Sequence, residues 1–250
     1  MAGITSESAI YEPVLVSGAS SGLGMAVAAA VLRHGGRVLG LCRNEASLGT
    51  VRDSGYDGIV VEEPERLPEL LKGCYARPAA FVDCSHSRTE SLVASLSPAD
   101  IDRWALQDIA LRARYLRTVV RLMLAQRQGR CLFVSSAAVD APAVGQGFYA
   151  AAKAAGEGLY TSVGLEMAAH GITACSLRLG WLDSGRGRDF LADKKELCEH
   201  LIPTGHLVGM DEAVSCILFL LSRSSASLNA TTLTMDGGFS RAKQKPGTIL

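Results

Sequence analysis

Tyr149 and Lys153 are four residues apart, the spacing that puts two side chains on one face of a helix. A phenol ordinarily loses its proton near pH 10. An ammonium beside it stabilises the phenolate and brings the group toward working pH, where it can give or take a proton. Tyr-x-x-x-Lys alone is as consistent with an ordinary helix-surface pair. Ser136 makes it more specific: it lies thirteen residues before Tyr149, at the carboxyl end of the strand-like run RCLFVSS.

A second group of residues suits phosphate. Ser17-Gly18-Ala19-Ser20-Ser21-Gly22-Leu23-Gly24 follows an apolar run and precedes an Ala-rich helical stretch. Glycine permits backbone shapes that a Cβ forbids and lets a diphosphate approach the main chain. The amides and positive dipole end of the following helix then receive the negative charge. The competing reading is a plain strand-to-helix turn.

Holding these groups together requires a regular scaffold, and the pattern supplies one. Strand-like apolar runs occur at 13–17, 37–42, 58–61, 79–84, 130–135, 172–179 and 232–235. Helical patterns lie between them, notably at 22–34, 98–127, 149–169 and 210–222. Near-continuous apolar strands alternating with helices imply a parallel sheet covered on both faces. The expected fold class is therefore α/β: one doubly wound, Rossmann-type domain over residues 1–250, with seven parallel strands and its ligand at their carboxyl ends. Residues 1–12 form an N-terminal arm and 241–250 a tail.

Composition narrows the function. Lys plus Arg and Asp plus Glu are 25 each, so no global field draws in nucleic acid or an anionic membrane. The longest mostly apolar stretch, 213–221, is far below the roughly 18 residues of a membrane-spanning helix. The first twelve residues do not read as a signal peptide. Seven scattered cysteines without C-x-x-C give neither metal nor disulfide spacing. The expectation is a reduced, cytoplasmic chain with no metal, and neutrality favours self-association.

The spacing G-x-x-x-G-x-G, followed by Ser-x12-Tyr-x3-Lys, resembles the short-chain dehydrogenase/reductase family. The layout is most similar to the 3-oxoacyl-carrier-protein reductases and related ketoreductases. The resemblance implies a nicotinamide cofactor at Ser17, Gly18, Ser20, Ser21, Gly22, Leu23 and Gly24. It also implies hydride transfer to a ketone, whose oxygen must then be protonated. Tyr149 is then the general acid in reduction, and Lys153 lowers its pKa and binds the nicotinamide ribose. Ser136 donates to the substrate oxygen. Gly180, Leu182 and Ser184 stand where the family contacts the nicotinamide, and Met235-Asp236-Gly237-Gly238 matches its closing strand. Cys42 occupies the place of the acid that selects NAD, and Arg43 follows, able to pair with a 2′-phosphate. NADP(H) is favoured over NAD(H), and a homotetramer or homodimer is implied.

Two places depart from the family. Where it has Asn-Asn-Ala-Gly, this chain has Asp83-Cys84-Ser85-His86, with Cys84 and Ser85 still placed against the cofactor. Where it has an Asn whose carbonyl holds a relay water leading to the lysine, this chain has Asp108. An extra carboxylate there is expected to raise the pKa of Lys153. The departures fit tolerated replacement, altered chemistry around His86, or a low-activity relative. The leading expectation is an NADPH-dependent ketoreductase acting on a small carbonyl substrate, free or bound to a carrier protein or coenzyme A. Its rival is a cofactor-binding regulatory or scaffolding subunit. Specificity is left to the loop 137–148 and the segment 185–209.

Overall fold

A computed structural model describes residues 10–73, 75–87, 89–182, 191 and 194–242. In chain order its main elements are β1 (Val14–Ser17), α1 (Gly22–Arg33), β2 (Val38–Cys42), α2 (Glu45–Asp53), β3 (Asp57–Val60), α3 (Leu67–Leu70) and β4 (Ala80–Asp83). Then come α4 (Pro98–Trp104), α5 (Leu111–Leu124), β5 (Gly129–Ser136), α6 (Gly147–Met167), β6 (Ile172–Leu179), α7 (Lys195–Leu201), α8 (Met210–Leu220) and β7 (Thr231–Met235).

The seven strands form one parallel sheet in the order β3-β2-β1-β4-β5-β6-β7. Every expected strand is present within a residue or two of its expected bounds. Alternation along the strands builds two apolar layers. Val14, Val16, Ala80, Val82, Leu132 and Val134 join the layer under α1 and α8. Leu15, Phe81, Cys131 and Phe133 join the layer under α5 and α6, with Leu116, Val119 and Tyr160. The same period of two carries Ser17, Asp83 and Ser135 onto this second face, at the top of their strands.

Parallel strands also bring their carboxyl ends to one edge. There lie the Gly-rich turn after β1, Arg43 after β2, Cys84-Ser85-His86 after β4, Ser136 ending β5 and Gly180 after β6. The reversal of strand order between β1 and β4 opens the crevice in which such folds bind ligands.

The stretch 98–127 is not one uniform helix. Ser97 caps α4, accepting from the Asp100 amide at 3.2 Å, and Pro98 starts it. A π-helical segment, Ala105–Ala110, then separates α4 from α5 and carries Asp108. Helix α2 follows Arg43 directly and is capped by Asn44, which accepts from the Ser47 amide at 2.9 Å. Among the described residues no helix is long and apolar enough to cross a membrane.

Candidate active site

The Gly-rich turn is shaped by close approaches. Gly18 has φ +70°, and a Cβ there would lie 3.0 Å from the carbonyl carbon of Cys84. A Cβ on Gly24 would lie 2.3 Å from the Gly18 carbonyl oxygen. Tyr56 braces the turn by donating its hydroxyl to the Ala19 carbonyl. The first turn of α1 contains no acidic residue, and the Ser21 hydroxyl makes no capping bond to its own helix. Its amides are therefore left for an external acceptor, as an anion site requires. Ser17 behaves differently from the expectation of cofactor contact: its hydroxyl turns inward and donates to Asp83 Oδ1 at 2.8 Å.

Arg43 is exposed at the end of β2 and has no carboxylate partner among the described residues. Cys42 before it is buried and its pKa is raised, chiefly by that burial, so it stays a neutral thiol near pH 7. Gly180 is required by packing whether or not a ligand is present, since a Cβ would lie 2.8 Å from the Cα of Asp236. Leu182 forms an isolated parallel bridge with Val208. Ser184 and residues 185–190, 192 and 193 of the expected specificity segment lie outside the described residues.

Lys153 and Tyr149 do share a face of α6. Lys153 is 3% exposed, donates Nζ to the Val134 carbonyl at 2.7 Å, and sits 5.7 Å from the centre of the Tyr149 ring. That bond fastens the start of α6 to β5 two residues before Ser136. Burial, then the Arg112 charge, lower the Lys153 pKa to about 7, against the opposing pull of Asp83, Cys84 and Asp108. Asp108 thus acts in the expected direction, yet the net shift is downward because desolvation and Arg112 outweigh it. Ser136 Oγ accepts from the Ala138 amide at 3.2 Å, so its hydroxyl proton is directed to some other acceptor. His86 stands edge-on to Tyr149, with ring centres 5.9 Å apart.

The altered motif after β4 is a coupled polar cluster. Asp83 is fully buried, accepts from the hydroxyls of Ser17 and Ser85 at 2.8 Å each, and pairs with Arg112 Nε at 3.0 Å. Burial pushes its pKa up, but Arg112, the two serines and Lys153 together hold it below the ordinary value. Cys84 is pushed to about 12 by burial, with Asp83 adding to the effect. The Asp108 carboxylate accepts from the Ser87 amide at 2.7 Å and from the Ser87 hydroxyl, while its backbone carbonyl accepts from Arg112. Arg112 was not visible as a site residue from sequence. Its only signal is a basic residue on the buried face of a helix, four positions after Asp108.

Beyond Ser136, Glu157 accepts from Ser135 Oγ at 2.5 Å and pairs with Arg178 through both carboxylate oxygens, at 2.7 and 2.6 Å. Arg178 also reaches Asp140 at 2.6 Å, which secures the first turn of the loop 137–148. No group of three or more His, Cys, Asp or Glu able to hold a metal occurs among the described residues.

A dinucleotide crevice with a Tyr-Lys pair and a strand-end serine defines a class of oxidoreductase, and comparison with known proteins agrees. The family described as Enoyl-(Acyl carrier protein) reductase matches residues 85–240, and the chain belongs to the short-chain dehydrogenase/reductase family. The 3-oxoacyl-[acyl-carrier-protein] reductase FabG of Escherichia coli (strain K12) is 26% identical over 232 residues, covering 90% of this chain and 95% of that protein. Among solved structures, an actinorhodin polyketide ketoreductase variant with NADPH superposes with TM-score 0.83 at 23% identity, over 93% of this chain and 98% of its own. A gluconate 5-dehydrogenase from Burkholderia cenocepacia J2315, in complex with NADP and tartrate, gives 0.85 at 21% identity, over 95% and 98%. These two likenesses establish the shared fold.

Proposed function

We propose that this protein is an NADPH-dependent ketoreductase that converts a ketone to a secondary alcohol. The observation that carries the reading is the buried Lys153, bonded to β5 and set beside Tyr149 at the ligand edge of the sheet. The residues present fit a dinucleotide. The Gly18–Gly24 cradle admits no Cβ at its closest approaches, and α1 presents uncapped amides without a nearby acid.

Ser20, Ser21, Gly22 and Leu23 would hold the diphosphate, and Arg43 the 2′-phosphate. Cys84, Ser85, Gly180, Leu182 and Ser184 would line the remainder, with Tyr149 and Lys153 at the ribose. When bound, NADPH supplies the hydride. Tyr149 Oη delivers a proton to the substrate oxygen, and the Lys153 cation stabilises the phenolate left behind. Ser136 donates its hydroxyl proton to the same oxygen, favouring the charge that develops there. Asp108 acts from behind Lys153, through its charge and its hold on Ser87.

The similarity to FabG supports a 3-oxoacyl thioester on a carrier protein or coenzyme A, or a related biosynthetic ketone, as substrate. Zero net charge and free cysteines are consistent with a cytoplasmic homotetramer or homodimer. The test is a panel of ketones and 3-oxoacyl thioesters assayed with NADPH and with NADH. Turnover with NADPH in preference to NADH is expected, and binding of NADPH with no turnover across the panel would contradict the reading.

A further inference from the structure

Lys153 has a second buried cation nearby. Arg112 on α5 is 4% exposed, close to the 3% of Lys153. Its guanidinium serves three acceptors: Asp83 Oδ2 at 3.0 Å, the Ser85 carbonyl at 2.7 Å and the Asp108 carbonyl. It lies 4.8 Å from the centre of the Phe133 ring, and Lys153 Nζ lies 5.0 Å from that same centre. The Asp108 carbonyl is thus met by a fixed positive charge.

We propose that Arg112 is a positioning residue of the proton-transfer site. It ties the chain after β4 and the π-helical turn to Asp83, and it sets a fixed positive charge near Lys153. The proposal rests on reading Tyr149 and Lys153 as the proton-transfer pair.

The groups facing Lys153 come from each element packed around it. They are Asp83 and Cys84 at the end of β4, Asp108 from the π-helical turn, Arg112 from α5 and Tyr149 from α6, with His86 beyond Tyr149 and the Tyr160 hydroxyl behind Asp83. With its pKa near 12, Cys84 is neutral near pH 7, whereas Asp83, held below its ordinary value by Arg112, the two serines and Lys153, is an anion. A guanidinium stays charged throughout this range. Arg112 is the second influence on Lys153 after burial and exceeds that of Asp83. Lys153 is therefore only partly protonated near neutral pH, and the cation supporting the Tyr149 phenolate fades as pH rises.

Six lysines in the chain make a direct measurement practical: lysine 13Cε NMR titration of the full protein, with Lys153 assigned by Lys153→Met. The Lys153 midpoint is expected near 7 in the wild type. Arg112→Gln should raise it by about half a unit or more, Asp83→Asn should lower it, and Arg112→Lys should restore it toward the wild type. Because Arg112→Gln strands a buried carboxylate, Asp83→Asn/Arg112→Gln serves as the second variant, again with a raised midpoint. The alkaline limb of NADPH-dependent reduction should move with the midpoint. A moved midpoint without turnover would count against the reductase reading and leave this proposal standing. A Lys153 midpoint unchanged when Arg112 is removed, alone or with Asp83, overturns it.

Discussion

Replacing Lys153 by Met should stabilise the protein more at acid pH than at alkaline pH, while removing its proton-transfer capacity. The folded-state pKa of about 7 lies below the ordinary lysine value of 10.5 because burial and Arg112 disfavour the charged form. Between these two values the unfolded chain binds more protons than the folded one, so the lysine's contribution to stability rises with pH. Below pH 7 both states are charged and the whole penalty is present, about 5 kcal/mol. From pH 6 to pH 9.5 that penalty falls by about 3 kcal/mol. Methionine carries no charge and has no such dependence. It leaves the Val134 carbonyl without its donor, a loss of about 1–3 kcal/mol that does not vary with pH. Urea unfolding of both proteins at pH 6 and pH 9.5 isolates the electrostatic part. The stability difference, variant minus wild type, should decrease by about 3 kcal/mol from the lower pH to the higher. An equal difference at the two pH values would refute the argument that Lys153 is held against its charge.

Two further substitutions probe the cofactor edge. Arg43→Ala should weaken NADPH binding by about tenfold or more and leave NADH binding nearly unchanged, measured by fluorescence titration, since it removes a charge-assisted contact to phosphate. Gly24→Ala would press a methyl group against the Gly18 carbonyl. A lower Tm and weaker NADPH binding should appear together, whereas a variant with wild-type values for both would show that the turn has room to spare.

The fold was largely legible because its signals are local. Seven apolar runs with turn residues between them specify a parallel sheet, and Tyr149-x-x-x-Lys153 behind Ser136 needs only helix and strand periods to be placed. What escaped the sequence lies in pairings with no period linking them. Arg112 and Asp83 are 29 positions apart and meet only because the fold brings the start of α5 to the end of β4. Ser17 reads as a phosphate contact by position, yet alternation along β1 puts its hydroxyl on the face where Asp83 waits. The helical pattern over 98–127 is continuous in composition. Its π-helical segment coincides with the place where Arg112 takes hold of the Asp108 carbonyl. The departure after β4, read one residue at a time, left several explanations open. Seen together, Asp83, Ser85, Asp108 and Arg112 compensate one another: the buried acid acquires a cation and two hydroxyls, and the second acid acquires the amide and hydroxyl of Ser87.

In the proposed reaction Tyr149 protonates the carbonyl oxygen while NADPH is consumed. Its most direct test is the rate of NADPH oxidation with a reducible ketone from the panel, comparing wild type with Tyr149→Phe, which keeps the ring and removes the phenolic proton. General acid catalysis contributes about 10²–10⁴-fold, so a rate loss in that range with NADPH affinity preserved is the expected result. A Tyr149→Phe protein that reduces the same ketone at the wild-type rate would contradict the account.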